Sequence, residues 1–251
     1  MKRRAFIRSL ASCAAPLLHG CAGAPQPAVL DHEPAAEATP YPFVCGLSFL
    51  PDDLREFGAA GITAQITDVS DGVMRTRADG VGQYYRSYAK CRQSIIATAE
   101  RLGAPDSPAF IATRGEQIRA AHAESRTAVV LQLQSAEPFE DDLSRVEEFH
   151  RLGVRVVQLT HNLDNRFAGG YMEPRPTGLT PDGAALLERL ASRRMVVDLA
   201  HASDQTARDV LAATDTPVVI SHGAARALVD HPRCTPDDIL RQVGERGGVV
   251  G

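Results

Sequence analysis

Two short apolar segments, each ending in a histidine, decide the fold predicted for this sequence. They read MVVDLAH at residues 195–201 and PVVISH at residues 217–222. Both are rich in β-branched residues, which is typical of strands buried on both faces. The residues between them have helical composition and follow Ser203, a residue type favoured as a helix N-cap. The pattern predicts a βαβ unit in which His201 and His222 end two neighbouring parallel strands.

The length and composition favour one large α/β domain. The chain has 251 residues, of which 44% are hydrophobic, and a formal net charge of -4. This is enough chain to bury a sizeable core. The charges of both signs are mixed, and the sequence has no basic tract, so we expect no nucleic-acid partner.

The first 42 residues are predicted to be an export signal and a tether. Residues 2–8 (KRRAFIR) resemble a twin-arginine signal, and residues 18–21 (LHGC) resemble a bacterial lipobox that would make Cys21 the lipidated residue. We therefore assign residues 1–21 to the signal, 22–42 to an Ala- and Pro-rich tether, and 43–251 to the domain. The expected location is the periplasm or the outer face of the membrane, with the lipid as the membrane contact.

Strand and helix patterns alternate through the predicted domain. The longest helical pattern covers residues 84–102, and another covers residues 235–246, with Thr235 as the expected cap. Alternation of this kind is typical of a parallel α/β barrel or a doubly wound sheet. No phosphate-binding glycine motif follows a strand, which disfavours dinucleotide binding. We count about seven strand starts and expect a (β/α)8 TIM-type barrel that lacks its C-terminal strand or strands here.

Histidines end three of the predicted strands, namely His161, His201 and His222. Parallel strands end at one face of a barrel, and neutral imidazole is a good ligand for zinc-like metals. The alternative for each is a hydrogen-bonded histidine without a metal. Asp198 is expected to point away from His201 and to orient a group in the barrel wall. Arg233 is a candidate for binding a substrate carboxylate, and the alternative is a solvated loop arginine.

Residues 127–251 resemble the membrane (renal) dipeptidase family of zinc metallopeptidases. The matching segments are LTHN (159–162), GLTPDG (178–183), VDLAHAS (197–203), PVVISH (217–222), AARAL (224–228), HPR (231–233) and ERGGVVG (245–251). The resemblance implies an eightfold barrel with two zinc ions at its carboxyl face. It implies that His201 and His222 bind one zinc, that His161 contacts the substrate and the transition state, and that Arg233 binds the substrate carboxylate. The implied reaction is hydrolysis of a dipeptide by metal-activated water, and a homodimer is a further expectation.

Three positions depart from the metal ligands that the resemblance leads us to expect. The family's His-x-Asp on the first strand corresponds to Leu47 and Phe49, and its bridging glutamate corresponds to Gln134. A neutral amide carries none of the charge that holds two cations together. We therefore expect one zinc ion rather than two, or none. The neighbouring side chains that could substitute are Cys45, Asp68, Asp71 and Asp164.

Three functional hypotheses follow from these residues. The first is a metallodipeptidase, with activity in question because metal ligands are replaced. The second is a catalytically impaired barrel that binds a small molecule. The third is a mononuclear amidohydrolase that acts on another class of substrate. Metal content and dipeptide hydrolysis distinguish the first from the second.

Overall fold

A sheet of eight parallel strands forms the framework of the domain. The computed structural model describes residues 41–76, 80 and 82–251. Its strands are β1 (Val44–Ser48), β2 (Ala64–Asp68), β3 (Gly72–Thr76), β4 (Gly82–Arg86), β5 (Ala109–Ile111), β6 (Thr127–Leu133), β7 (Val154–Gln158), β8 (Val196–Asp198), β9 (Val219–Ile220) and β10 (Val249–Val250). The order in the sheet is β1-β2-β6-β7-β8-β9-β10, and β5 also pairs with β6. Strands β3 and β4 form a separate antiparallel hairpin.

Helices follow most of these strands, as the α/β prediction requires. They are α1 (Glu56–Ala59), α2 (Tyr88–Leu102), α3 (Gly115–Ala123), α4 (Arg145–Arg151), α5 (Pro181–Ser192), α6 (Asp204–Ala213) and α7 (Asp237–Glu245). Helix α6 begins where predicted, because the Ser203 side chain accepts a hydrogen bond from the backbone N–H of Thr206 at 3.1 Å. Strands β8 and β9 pair in parallel, which confirms the βαβ unit that ends in the two histidines.

The core lies mainly between the sheet and the helices. Leu186 and Leu190 of α5 and Val210 of α6 are fully buried in it, together with Val146 and Phe149 of α4. On α4 and α5 these side chains recur at three- and four-residue spacing, so one face of each of these two helices covers the sheet. Their burial fixes the strands, and the strands in turn fix the positions of the residues that follow them.

The sheet curves so that its first strand approaches the end of β9. A Cβ atom on Gly46 in β1 would overlap the backbone carbonyl oxygen of Ser221. Only glycine permits so close an approach of two backbones. The sheet is therefore curled like part of a barrel rather than extended and flat.

Two local predictions differ from the structure. Residues 84–86 belong to β4 rather than to a helix, because Ser87 has extended backbone angles and α2 begins only at Tyr88. Helix α7 follows an extended Pro236, and no side-chain hydrogen bond caps it, so Thr235 does not have the predicted capping role. The predicted signal, the tether through residue 40 and Cys21 lie outside the described residues. Within the described ranges, no helix is both long and apolar enough to cross a membrane.

Candidate metal and substrate site

The carboxyl ends of β7, β8 and β9 bring the three predicted histidines together. The rings of His161 and His201 stack with centroids 4.3 Å apart and an angle of 19° between their planes. His201 and His222 approach edge to edge, with 2.8 Å between their Nε2 atoms. Tyr171 also contacts His201, with 5.7 Å between ring centroids and an angle of 61° between their planes. The structure therefore forms one imidazole cluster from three separate strand ends.

The backbone of His201 has a left-handed conformation, with φ of 65°. This conformation costs roughly 1–2 kcal/mol for a residue with a Cβ atom. Its carbonyl oxygen accepts a hydrogen bond from the Tyr171 N–H at 3.1 Å, which ties the turn to the loop before α5. The strain is thus held by the surrounding loop, and it aims the imidazole at His222.

The tautomer of His201 follows from its contact with Asn162. The Nδ1 atom of His201 lies 2.8 Å from the Asn162 side-chain oxygen, which can only accept. Nδ1 therefore carries the proton, and Nε2 keeps a free lone pair. Gly170 allows this loop to close, because a Cβ there would meet the Asn162 carbonyl oxygen at 2.5 Å.

The tautomer of His222 is set by a short relay that ends on Asp198. Ser221 donates its hydroxyl proton to Asp198 Oδ2 at 2.5 Å, so its oxygen accepts from His222 Nδ1 at 2.8 Å. Asp198 also accepts from the backbone N–H groups of Ala200 and Ser221 and from the Gln132 amide. Asp198 thus orients His222 through Ser221, rather than only a group in the barrel wall as the alternation had predicted. Hydrogen bonds of this kind fix the ring orientation of metal-binding histidines.

The two Nε2 lone pairs consequently face each other across 2.8 Å. Two lone pairs this close repel each other unless a cation binds to both nitrogens. A proton is disfavoured, because burial lowers the pKa of both His201 and His222, and the charge of Arg233 lowers both further. Burial likewise lowers the pKa of His161 to about 3. The donor set therefore fits a metal ion that accepts two imidazole nitrogens.

The structure adds no carboxylate to these two nitrogens. Within residues 41–76, 80 and 82–251, no three His, Cys, Asp or Glu side chains are grouped so that they could hold a metal. At the three replaced ligand positions, Leu47 is half-buried, Phe49 is 57% exposed and Gln134 is buried. None of the three offers a charged ligand.

The four side chains considered as substitutes have other hydrogen-bond partners. Asp68 accepts from the Ser70 N–H at 2.8 Å, and Asp71 accepts from the Tyr84 hydroxyl at 2.8 Å. Asp164 accepts from the backbone of Gly170 and Thr177, and the Cys45 thiol contacts the Leu47 carbonyl oxygen. These contacts stabilise turns and loops near the site, as is common for Asp in such positions.

Arg233 lies beside the cluster, on the side of β9. Its Nη2 donates to the His222 carbonyl oxygen at 3.1 Å, and its guanidinium lies 5.7 Å from the centre of the Tyr171 ring. A guanidinium has five N–H groups, so Arg233 can donate to a ligand as well as to His222. The contact to a substrate carboxylate stays a prediction.

The structure adds residues that the sequence did not single out. Asn162 and Ser221 set the histidine tautomers, and Tyr171 packs on His201. Arg86, at the end of β4, donates from Nη2 to Gln134 Oε1 at 3.5 Å. Asn162 and Ser221 stand directly beside predicted site histidines, which is a usable signal. Arg86 had none, since it lies within a predicted helix.

Comparison with known families decides the relationship. The family model described as membrane dipeptidase (peptidase family M19) matches residues 83–251, well over half of the chain. The chain belongs to this family. The matched region contains every predicted site residue from Gln134 to Arg233, and it also includes Arg86. The resemblance predicted from the motifs is therefore confirmed.

Curated relatives of this M19 protein carry dipeptidase names. Over 131 residues it is 36% identical to "Dipeptidase aclJ" of Aspergillus oryzae, covering 51% of this chain and 31% of that protein. Over 109 residues it is 38% identical to "Uncharacterized dipeptidase C3A11.10c" of Schizosaccharomyces pombe, covering 43% of this chain and 27% of that protein. The M19 chain thus matches about a third or less of each relative's length.

Solved structures support the fold of this M19 protein. An amidohydrolase from Pseudomonas aeruginosa matches with a TM-score of 0.74 and 25% identity, over 84% of this chain and 61% of that one. A metallo peptidase from Rhodobacter sphaeroides, bound to a phosphinate mimic of L-Ala-D-Ala, matches with a TM-score of 0.69 and 19% identity, over 84% and 73%. The α/β architecture predicted from the sequence is thereby confirmed.

Proposed function

We propose that this chain contains the active-site part of a metallodipeptidase that hydrolyses the peptide bond of dipeptides. The single observation that carries the proposal is the convergence of the Nε2 atoms of His201 and His222, which lie 2.8 Å apart. Membership of the M19 family and the dipeptidase names of its relatives support the same activity.

The proposed role of each residue follows from its contacts. His201 and His222 would hold one zinc ion, with Asn162 and Ser221 keeping their protons on Nδ1. A bound zinc ion supplies Lewis acidity to the peptide carbonyl and lowers the pKa of a coordinated water. His161, neutral and stacked on His201, would donate or accept one hydrogen bond at the reacting peptide group.

Arg233 would bind the carboxylate at the C-terminus of the dipeptide. Its guanidinium donates a hydrogen bond to the His222 carbonyl oxygen, which fixes its position relative to His222, a proposed zinc ligand. A charge-assisted contact to a carboxylate would therefore place the peptide bond next to the imidazole cluster. Dipeptides with a free C-terminal carboxylate would bind more tightly than their C-terminal amides.

Metal content and hydrolysis test this proposal directly. Protein purified without chelator should contain at least about half an equivalent of zinc, and His201→Ala should lose it. The matched control is His122→Ala, because His122 lies on α3 and contacts Thr63 instead of the cluster. Zinc below about a tenth of an equivalent, with no dipeptide hydrolysis after zinc is added, would refute the activity.

A catalytically impaired binding protein is the second candidate function. The three replaced ligand positions favour this second function, because they leave a metal with two protein ligands among the described residues. Leu47 and Gln134 are neutral, and the Phe49 ring is exposed. In that case a dipeptide should bind without hydrolysis, and His201→Ala should leave its affinity unchanged. An amidohydrolase of other specificity would instead hold zinc and cleave N-acyl amino acids but not dipeptides.

We also propose export and lipid anchoring through Cys21, on the basis of the signal-like residues 2–8 and 18–21. Cells expressing the protein should incorporate labelled palmitate into it, and Cys21→Ala should abolish the label while Cys13→Ala keeps it. A homodimer is a further proposal that rests on the family resemblance. Light scattering of the purified protein at micromolar concentration tests it, and a monomer mass would contradict it.

A further inference from the structure

Arg86 is a buried cation that the proposed reaction leaves without a role. Only 3% of its surface is exposed. Its Nε donates to the Ser70 hydroxyl at 3.1 Å, and its Nη2 donates to Gln134 Oε1 at 3.5 Å. Its Nη1 is also buried, and no described residue accepts a hydrogen bond from it. A buried N–H group without an acceptor is costly, so this atom is well suited to a ligand oxygen.

Arg86 lies at the same edge of the sheet as the histidines. Its partner Gln134 directly follows β6, and the Gln134 carbonyl oxygen accepts from the side chain of Gln158 at 3.2 Å. Gln158 also donates to the carbonyl oxygen of Thr160, the residue before His161. The positive charge of Arg86 contributes to the lowered pKa of His161, second only to burial. Arg86 thus lies on the β6 side of the cluster, and Arg233 lies on the β9 side.

The carboxylates around Arg86 are already engaged. Asp68 accepts hydrogen bonds from both the backbone and the hydroxyl of Ser70. Glu137 accepts from the backbone N–H of Arg86 at 3.3 Å, rather than from its guanidinium. Burial raises the pKa of both acids, and the nearby charge of Arg86 opposes that rise in each of them. Among the described residues, neither of these carboxylates accepts a hydrogen bond from Nη1.

We propose that Arg86 binds a second carboxylate of the substrate, separate from the carboxylate assigned to Arg233, so that acidic dipeptides are preferred. The inference rests on the proposed dipeptide substrate. A carboxylate forms a charge-assisted hydrogen bond with a guanidinium, and burial strengthens the bond because water does not screen it. A neutral carboxamide of the same shape forms a weaker bond, because it carries no charge.

Isosteric pairs of dipeptides test this specificity. The affinities of L-Ala-L-Glu and L-Ala-L-Gln, and of L-Glu-L-Ala and L-Gln-L-Ala, are measured by calorimetry on protein freed of metal and dialysed. In at least one pair, the wild-type protein should bind the acidic dipeptide about tenfold more tightly. Arg86→Gln should reduce this ratio to about one, whereas Arg86→Lys, which keeps the charge, should retain part of it.

Arg75→Gln is the matched control, because Arg75 lies in the same hairpin but is exposed and stacks on Tyr85 instead. It should keep the wild-type ratio. The inference would be overturned if the wild-type protein bound the acidic and amide dipeptides with equal affinity, or bound none of the four. Both outcomes are measured on the wild-type protein, so they decide the inference even if Arg86→Gln fails to fold. Binding with the acidic preference but without hydrolysis in zinc would instead refute only the proposed activity. Hydrolysis without the preference would refute only the role of Arg86.

Discussion

Replacing Ser221 with alanine should weaken zinc binding without removing either proposed ligand. The Ser221 hydroxyl connects Asp198 to His222, donating at 2.5 Å and accepting at 2.8 Å. Without it, His222 Nδ1 has no acceptor, and the proton can move to Nε2. That tautomer donates to His201 Nε2 across the existing 2.8 Å contact and occupies the lone pair that zinc needs.

The expected size of this effect follows from the hydrogen bonds that are lost. Removing an outer hydrogen-bond partner of a metal-binding histidine typically costs about 10–100-fold in metal affinity, or roughly 1.4–2.8 kcal/mol. Asp198 loses one charge-assisted bond but keeps its two backbone donors and Gln132. The protein should therefore stay folded, with its free energy of unfolding lowered by about 1.5–3 kcal/mol.

Zinc affinity is measured by competition with a chromophoric chelator at pH 7.5, alongside unfolding in urea. The control is Ser107→Ala, because Ser107 is also buried and its hydroxyl donates to the Ala109 carbonyl oxygen at 2.7 Å, before β5. Both variants should lose stability, but only Ser221→Ala should lose zinc affinity. Zinc affinity of Ser221→Ala within twofold of wild type, or an equal loss in Ser107→Ala, would contradict the tautomer argument.

Three further changes probe the fold and the site. Gly46→Ala should destabilise the domain by about 1–3 kcal/mol in urea unfolding, because the added Cβ would overlap the Ser221 carbonyl oxygen. Gly58→Ala in α1 is the control, because a Cβ there has no neighbouring atom, and it should be neutral or stabilising. Glu148→Gln should destabilise by under about 1 kcal/mol at pH 7 and by less at pH 3. Hydrogen bonds from Tyr88 and Arg92 lower the Glu148 pKa. The stabilisation by the Glu148 carboxylate is therefore present above the ordinary pKa of 4.5 and is lost as the pH falls through the lowered pKa of the folded protein. A difference in unfolding free energy that does not change with pH would contradict this. Gln134→Glu should leave the zinc content, measured by elemental analysis, unchanged, because the new carboxylate pairs with Arg86 across the existing 3.5 Å contact. A second equivalent of zinc in this variant would refute that pairing.

Local sequence patterns predicted correctly the two strands and the helix around His201 and His222. The β-branched runs identified β8 and β9, and Ser203 identified the start of α6. Parallel strands then require His201 and His222 to lie together at the carboxyl edge. The hairpin of β3 and β4 was missed, because residues 84–86 continue without a break into a helical pattern. Its pairing depends on Gly72 and Arg86, which lie fourteen positions apart.

The sequence by itself determined the α/β class, the family and the three histidines, because each of these depends on residue types within short segments. Only the tertiary structure decided which nitrogen of each histidine is free and where Arg86 lies. Asn162 is 39 residues from His201, and Arg86 is 48 residues from Gln134. Contacts between such distant residues depend on the path of the loops around the sheet, and no local pattern of polarity encodes that path.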